Sequence, residues 1–575
     1  MQIQVNHIDL AYEQAGSGPP LLLLHGNGED HHIFDELSQK LQAQFTVYAL
    51  DSRAHGQSSG NPADLSYELM ARDVSAFIYQ LQLAPVYLAG FSDGAILGLL
   101  LALRHPDCLR RLALMGVNLS PADFTAENLA ALQNDYAQNG DPLLRLMLQE
   151  PDLSLSQVQQ VTVPTLVIAA EHDIFKPETF IQLARALPDA RLKIIPGADH
   201  SSYVVHQTLL YPELLDFFTE WPAAVALPPL GPPGCLDSKS AWEAWRPQLL
   251  DIFQDQLYGR LPPVPLETDL KLLPEQYDSF GGKARSQDAI LRFRTGKLEY
   301  SLPFTAVRPQ AQDAAPWFMY LAFTDAPCDG PAEEILDSGY GFISLYYQDV
   351  IPDSPDTDSA GLGRLLPRQP DIGRGKLALW AFAANQIYRA VCRLPGHLGL
   401  NPDRAAICGH SRLGKTALWA GVTEPGYSLI IANDSGAGGA ALFRGKRGES
   451  IADLARPEIH GWFCERFYQY AGQEDRLPFD QHQLLASVAP RRLYIASATE
   501  DIWADPIAEY QSVLAAGPVY SLYGADDPRH TLPARPKPEQ ACHDGRVGYH
   551  LRRGTHYLSR YDWQQFIAYR DRWQV

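Results

Sequence analysis

The sequence is poor in cysteine and methionine, with 7 and 5 of them among 575 residues. The cysteines are odd in number and form no C-x-x-C pair, which argues against a disulfide scaffold or a zinc site and favours a reducing compartment. Long apolar runs are also missing, because stretches such as residues 21–24 are far too short to span a bilayer. The first residues show no basic region followed by an apolar one, as a signal peptide would. We therefore expect a cytoplasmic protein that does not associate with membranes.

Positive charge is scarce as well. The chain has 47 Lys and Arg residues against 67 Asp and Glu residues, for a formal net charge of −20. Such a surface argues against nucleic acid or an anionic membrane as a partner. With 46% hydrophobic and 20% charged residues, the composition suits a soluble globular protein of two to four domains.

One segment is unusually rich in proline and divides the chain. Residues 222–234 read PAAVALPPLGPPG, a composition that favours extended backbone and a semi-rigid linker. The division predicts a first domain at 1–221 and a second at 235–575. The oligomeric state is not predicted.

Both predicted domains alternate short apolar runs with helical patterns, which is typical of α/β structure with a mostly parallel sheet. In the first domain the run PPLLLLHG is one such strand, and a stretch at about 119–160 predicts a small helical cap. The second domain adds AILRFRT and LEYSLPFTAV, which alternate as antiparallel strands do. The sequence thus predicts two α/β domains in tandem.

A serine in the first domain is placed as a nucleophile. Ser92 lies in GFSDG, between a strand-like run and a helix-like one, which fits the G-x-S-x-G elbow of serine hydrolases. The Asp93 amide would open the following helix and, with the Asn27 amide in HGNG, would stabilise an oxyanion. Asp173 after a later strand and His200 near the domain's end supply an acid and a base in the order Ser, Asp, His.

Together these motifs resemble the α/β-hydrolase superfamily over about residues 3–221. DSRAHGQSS at 51–59 is similar to its D-x-R-G-x-G-x-S turn, with Ala54 where glycine is usual. The resemblance implies acyl transfer to Ser92.

A second serine stands in the same setting in the second domain. Ser411 lies in GHSRLGK, where Gly409 relieves the turn and the Arg412 amide can act as an oxyanion donor. Gly414 follows one position later than in a strict G-x-S-x-G motif.

This second elbow resembles the G-C-S-R-x-G-K motif of glucuronoyl esterases, which are carbohydrate esterases. NDSGAGGAALFRGKRGE at 433–449 and RRGTHYLSRYDW at the end of the chain are similar to further motifs of that family. The likeness covers roughly residues 235–575. It implies Ser411 as nucleophile, His556 as base, the Arg412 side chain as an aid to the oxyanion, and Lys415 and Trp462 near the sugar.

Two residues compete for the role of acid in the second domain. Asp434 stands where many members of the family have a catalytic glutamate, and aspartate is one methylene shorter. Asp501 follows a late strand, at the usual acid position of α/β-hydrolases. We favour Asp434 and keep Asp501 as the alternative. A further departure is His410, where the family often has a bridged cysteine.

The sequence therefore predicts a bifunctional serine esterase that removes acetyl, feruloyl or uronoyl esters from plant cell-wall carbohydrates. Its substrate would be an acylated oligosaccharide or a small ester, and neither a metal nor an organic cofactor is required. The alternative is a small-molecule carboxylesterase in which one domain is a non-catalytic binding or interaction module.

Overall fold

The chain divides into two compact units, residues 1–220 and 221–575. The structure is a computed structural model, and it describes residues 1–219, 225–325, 330–354, 359–366, 373–394, 398–459 and 461–575. Each unit is built on one sheet of its own.

The first unit contains an eight-stranded sheet with the order β1-β2-β4-β3-β5-β6-β7-β8. Strand β1 pairs antiparallel with β2, and β2 with β4, whereas β4, β3 and the strands beyond them run parallel. The strands are β1 (Gln2–Val5), β2 (Ile8–Ala15), β3 (Pro20–Leu24), β4 (Thr46–Leu50), β5 (Val86–Phe91), β6 (Leu109–Met115), β7 (Thr165–His172) and β8 (Ala190–Asp199).

Helices cover both faces of this sheet, as the continuous apolar strand runs predict. The alternation is visible in β3, where Leu22 and Leu24 belong to one buried cluster and Leu21 and Leu23 to another. The helices are α1 (Asp35–Leu41), α2 (Tyr67–Gln80), α3 (Asp93–Arg104), α4 (Ala126–Asn139), α5 (Pro142–Gln149), α6 (Leu155–Val158), α7 (Pro177–Ala186) and α8 (Tyr211–Phe218). Helices α4 to α6 occupy the stretch for which a helical cap is predicted.

The second unit contains a nine-stranded sheet with the order β17-β16-β15-β14-β12-β13-β11-β10-β9. Strands from β17 to β13 run parallel, and β11, β10 and β9 continue the sheet antiparallel. The strands are β9 (Glu267–Ser279), β10 (Ala284–Thr295), β11 (Leu298–Pro309), β12 (Ala315–Ala322), β13 (Gly341–Tyr346), β14 (Leu400–His410), β15 (Leu429–Asn433), β16 (Arg492–Ala498) and β17 (Val547–Arg552). The predicted antiparallel strands are β10 and β11.

Strand β14 shows the same two-sided burial. Ala405 and Ile407 belong to the larger core cluster, and Ala406 and Cys408 belong to the cluster on the other face. The helices are α9 (Lys239–Phe253), α10 (Ala332–Asp337), α11 (Tyr347–Val350), α12 (Lys376–Arg393), α13 (Arg412–Thr423), α14 (Ile451–Leu454), α15 (Glu465–Tyr468), α16 (Gln481–Ala486), α17 (Pro506–Ala515), α18 (Gly517–Leu522), α19 (Pro528–Thr531) and α20 (Arg560–Trp573). In the described part of the chain, every helix is too short or too polar to cross a bilayer.

The prediction of two tandem α/β-hydrolase domains is confirmed. The described part of the predicted linker lies against the second unit, while residues 222–224 fall outside the described residues. The Pro228 carbonyl accepts a hydrogen bond from His482 Nε2 at 3.0 Å, and Pro229 accepts one from Gln483 Nε2 at 2.6 Å. Proline has no N–H but keeps its carbonyl, so side-chain donors of the second unit hold this segment.

Candidate active sites

Both predicted nucleophiles lie at a sharp turn between a strand and a helix. Ser92 connects β5 to α3 with φ 51° and ψ −113°, and Ser411 connects β14 to α13 with φ 55° and ψ −128°. Residues other than glycine rarely adopt positive φ, and such strain concentrates at functional sites. Each serine is therefore held at the carboxyl edge of its sheet, at a helix N-terminus.

The elbows require glycine two residues before the serine. A Cβ at Gly90 would lie 2.2 Å from the Gly94 carbonyl oxygen, and a Cβ at Gly409 would lie 2.1 Å from that of Leu413. Those oxygens belong to the first turn of the following helix, so any larger residue would push the helix away from the strand. The close approach explains the shared sequence pattern.

The first unit brings the predicted triad together. His200 Nε2 lies 3.1 Å from Ser92 Oγ, and His200 Nδ1 lies 2.7 Å from Asp173 Oδ1. Asp173 directly follows β7 and His200 directly follows β8, so the acid and the base meet the serine at the carboxyl edge of the parallel strands. The arrangement is that of a serine nucleophile with its base and orienting acid.

A buried carboxylate connects the two predicted oxyanion residues of the first unit. Asp93 accepts hydrogen bonds from Asn27 Nδ2 at 2.8 Å and from the Tyr67 hydroxyl at 2.7 Å. Burial raises the pKa of Asp93, and the two donors oppose that rise. The carboxylate therefore ties the loop that carries Asn27 to the helix that starts after Ser92.

We expect Asp93→Ala to lower turnover at Ser92 by about 10- to 100-fold, because the loop with the Asn27 amide loses its anchor. Tyr67→Phe, which leaves the contact with Asn27 in place, should cost no more than about threefold. Steady-state kinetics on an ester cleaved at Ser92 would measure both variants. Equal losses in the two variants would contradict a role that acts through Asn27.

In the second unit, Ser411 and His556 line one pocket of about 510 Å³. His556 Nδ1 lies 2.5 Å from Asp501 Oδ2, and the Asp501 side chain is buried. In the described part of the chain the Ser411 hydroxyl is not hydrogen-bonded to His556. Hydrogen bonds of this kind often tighten only when substrate binds. The second unit thus also offers a nucleophile, a base and an acid.

The prediction that Asp434 is the acid that orients His556 is wrong, because the structure shows the hydrogen bond from His556 to Asp501 instead. An Asp434 oxygen lies within 4.8 Å of both Asp501 and His556, but Asp434 Oδ2 accepts its hydrogen bond from Arg552 at 3.3 Å. Burial raises the pKa of Asp434 well above its usual value, and the carboxylates of Asp501 and Glu509 add to the rise. The shorter side chain leaves the His556 Nδ1–H to Asp501.

His410 occupies the position beside the base. Its ring centroid lies 4.5 Å from that of His556, and its Nδ1 lies 2.6 Å from Asn433 Oδ1. Burial, with a smaller contribution from His556, lowers the pKa of His410 to about 4. His410 is therefore a neutral ring that packs against the base.

Arg412, predicted to assist the oxyanion, and Trp462, predicted to lie near the sugar, form one cluster in this pocket. The Arg412 guanidinium lies 4.6 Å from the centre of the Trp462 ring and is paired with Asp353, which also accepts a hydrogen bond from Trp462 Nε1 at 2.8 Å. The carboxylate holds the cation and the indole in place at the pocket wall.

Lys415 lies buried in the pocket with its charge paired. Its Nζ donates to Glu449 Oε2 at 2.7 Å and to the Ala437 carbonyl at 2.6 Å. Glu449 Oε1 accepts a hydrogen bond from Trp503 Nε1 at 3.2 Å, and Trp503 remains 47% exposed while lining the pocket. A lysine, a carboxylate and an indole thus follow one another along the pocket.

Sequence reasoning missed Glu449 and Trp503, although both lie in segments with recognisable motifs. Glu449 ends the stretch FRGKRGE, and Trp503 is two residues after Asp501. Glu449 could have been predicted as the carboxylate that pairs with a buried lysine, and Trp503 from its place close to the predicted acid Asp501.

Comparison with protein families matches both units. Residues 19–144 match the family described as "alpha/beta hydrolase fold", and residues 333–524 match "Glucuronyl esterase, fungi". The predicted resemblances to α/β-hydrolases and to glucuronoyl esterases are confirmed.

Two curated relatives align with part of the chain. A carbohydrate esterase from an unknown prokaryotic organism is 38% identical over 245 residues, which are 42% of this chain and 55% of that protein. The 4-O-methyl-glucuronoyl methylesterase 1 of Wolfiporia cocos is 28% identical over 297 residues, which are 50% of this chain and 69% of that protein. The chain thus spans little more than half the length of the first relative.

Solved structures of carbohydrate esterases are also similar to this chain. A glucuronoyl esterase from Solibacter usitatus is 27% identical with a TM-score of 0.55, over 61% of this chain and 98% of that one. A promiscuous esterase of carbohydrate esterase family 15 from a marine bacterial metagenome is 28% identical with a TM-score of 0.54, over 61% of this chain and 99% of that one.

Proposed function

We propose that the C-terminal unit is a glucuronoyl esterase that hydrolyses an ester of a uronic acid at Ser411. The observation that carries the proposal is the single pocket that Ser411 and His556 share with Arg412, Lys415 and Trp503. Polar groups fixed by hydrogen bonds beside aromatic rings suit a sugar with several hydroxyl groups. The names of the aligned relatives, which include a 4-O-methyl-glucuronoyl methylesterase, support a uronoyl group as the acyl part.

The reaction would proceed through an acyl-enzyme. His556 takes the proton of the Ser411 hydroxyl as the oxygen attacks the ester carbonyl, and Asp501 holds His556 in the tautomer that can accept it. The negative charge that develops on the carbonyl oxygen faces the Arg412 amide at the N-terminus of α13. His556 then returns the proton to the departing alcohol, and water hydrolyses the uronoyl–Ser411 ester by the same steps in reverse order.

The N-terminal unit would be a second serine esterase, which acts at Ser92 on a smaller acyl ester of the acetyl or feruloyl type. Its support is the complete set of contacts from Ser92 through His200 to Asp173. The two activities together would remove different ester groups from cell-wall oligosaccharides.

Hydrolysis assays on the whole chain test both assignments. The substrates are a 4-O-methyl-glucuronic acid methyl ester, methyl ferulate and an acetylated xylooligosaccharide, and labelling with a fluorophosphonate reports each serine separately. We expect turnover of the uronoyl ester and labelling of both Ser92 and Ser411. A chain that labels at Ser92 alone and cleaves only small esters would instead favour a small-molecule carboxylesterase with a non-catalytic second unit.

A further inference from the structure

The loop that carries the base of the second unit is held by one buried arginine. Arg552 is the last residue of β17, and its Nη2 donates to the carbonyl oxygens of Thr555 at 2.9 Å and of Tyr557 at 2.5 Å. Its Nη1 donates to the Arg553 carbonyl at 3.1 Å. These carbonyls belong to residues on both sides of His556, so one guanidinium bonds the backbone before and after the base.

The Nε side of the same guanidinium is held by a buried carboxylate. Arg552 Nε lies 3.0 Å from Asp562 Oδ2, and Asp562 also lies 2.7 Å from His550 Nε2. His550 Nδ1 is in turn 3.0 Å from the Tyr494 hydroxyl. Because Asp562 and His550 are fully buried, the arginine has little freedom to rotate.

Arg552 also contacts Asp434, the second carboxyl group near His556. Its Nη2 lies 3.3 Å from Asp434 Oδ2. Asp434 is buried within 4.8 Å of Asp501 and His556, and two unpaired carboxylates so close together would compete for the imidazole N–H. A guanidinium bound to Asp434 leaves Asp501 as the acceptor.

We propose that Arg552 is a positioning residue that fixes the direction of His556 through the backbone of its loop and keeps Asp434 from taking the place of Asp501. The role is needed because the His556 side chain is 39% exposed and is therefore only partly held by packing. This inference rests on the proposed roles of Ser411 and His556 but not on the identity of the substrate.

The test measures the rate constant with which a fluorophosphonate labels Ser411, followed by mass spectrometry of the Ser411 peptide. We expect Arg552→Met to lower this rate constant by about 30- to 100-fold, as small displacements of a catalytic group do. Arg552→Lys, which keeps the charge but not the planar fork, should lose about three- to tenfold. The matched control is Arg553→Met, because the side chain of the adjacent Arg553 is exposed and lies 3.5 Å from Glu539. The labelling rate constant of this variant should equal that of the unaltered protein.

A second substitution separates positioning from simple stabilisation of the fold. Asp434→Asn added to Arg552→Met should recover at least about threefold, because it removes the buried carboxyl group that lost its hydrogen-bond partner and could then compete with Asp501 for His556. If Arg552 only stabilised the unit, the fraction of Ser411 that labels would fall while the rate constant of the labelled fraction stayed unchanged, and the proposal would be wrong. An unaltered rate constant in Arg552→Lys and Arg552→Met would overturn it as well.

These readouts also distinguish the failure of the two proposals. A chain that labels at Ser411 but does not cleave uronoyl esters would refute the proposed substrate and leave the role of Arg552 open to the same measurement. A lower labelling rate constant in Arg552→Met, with an unchanged labelled fraction and with uronoyl esterase activity in the unaltered protein, would support both.

Discussion

Replacing Ser411 by alanine is expected to lower turnover of a uronoyl ester by about 10⁴- to 10⁶-fold, because the nucleophile and its base act as a unit. Turnover of small acyl esters at Ser92 should remain within about twofold of the unaltered chain. Each serine has its own histidine within its own unit: His200 Nε2 lies 3.1 Å from Ser92 Oγ, and His556 lines the pocket of Ser411. The measurement is kcat for the two substrate classes on each variant.

The reciprocal variant is the matched control. Ser92→Ala should abolish turnover of small acyl esters to the same extent and leave the uronoyl ester unaffected. Circular dichroism and thermal unfolding of both variants check that the units remain folded. A folded single variant that loses activity on every substrate would contradict two independent sites.

Asp501→Asn should reduce turnover at Ser411 by about 10⁴-fold. The buried Asp501 carboxylate accepts the Nδ1–H of His556 at 2.5 Å, so an amide there would favour the wrong tautomer and leave the imidazolium without a countercharge. Asp434→Asn, in contrast, should cost at most about tenfold, since Asp434 bonds to Arg552 rather than to His556. The measurement is kcat of both variants on the same ester.

The comparison is sharp because both substitutions are isosteric and both side chains are buried within one cluster. Retention of the unaltered thermal unfolding temperature shows that a loss comes from the chemistry. The opposite order of losses in folded protein would return the role of orienting acid to Asp434.

Much of the chemistry could be predicted from local sequence. An elbow needs a glycine where the helix approaches the strand, a serine at the turn and an apolar strand before it, and all of these lie within a few residues of Ser92 and of Ser411. Asp173 was predicted in the same way, because it directly follows the buried strand β7, whereas His200 was predicted from its place near the end of the domain in the order Ser, Asp, His.

The choice between Asp434 and Asp501 depended on tertiary structure. Both residues follow parallel strands of the same sheet, so strand order places both near His556, and only side-chain direction separates them. That direction is set by Arg552, which comes from a distant part of the chain and draws Asp434 away from the base.

The sequence by itself therefore determined the two α/β units and the two serine elbows, since short-range patterns of strands, turns and glycine encode them. His200 was predicted from the order of the motifs, and His556 from the resemblance to glucuronoyl esterases. The tertiary structure alone decided which acid orients His556, and it brought Glu449 and Trp503 into the pocket of Ser411. The physical reason is that a hydrogen bond depends on distances of a few tenths of an ångström between side chains on separate loops. Those distances result from how the loops pack, which no short stretch of sequence specifies.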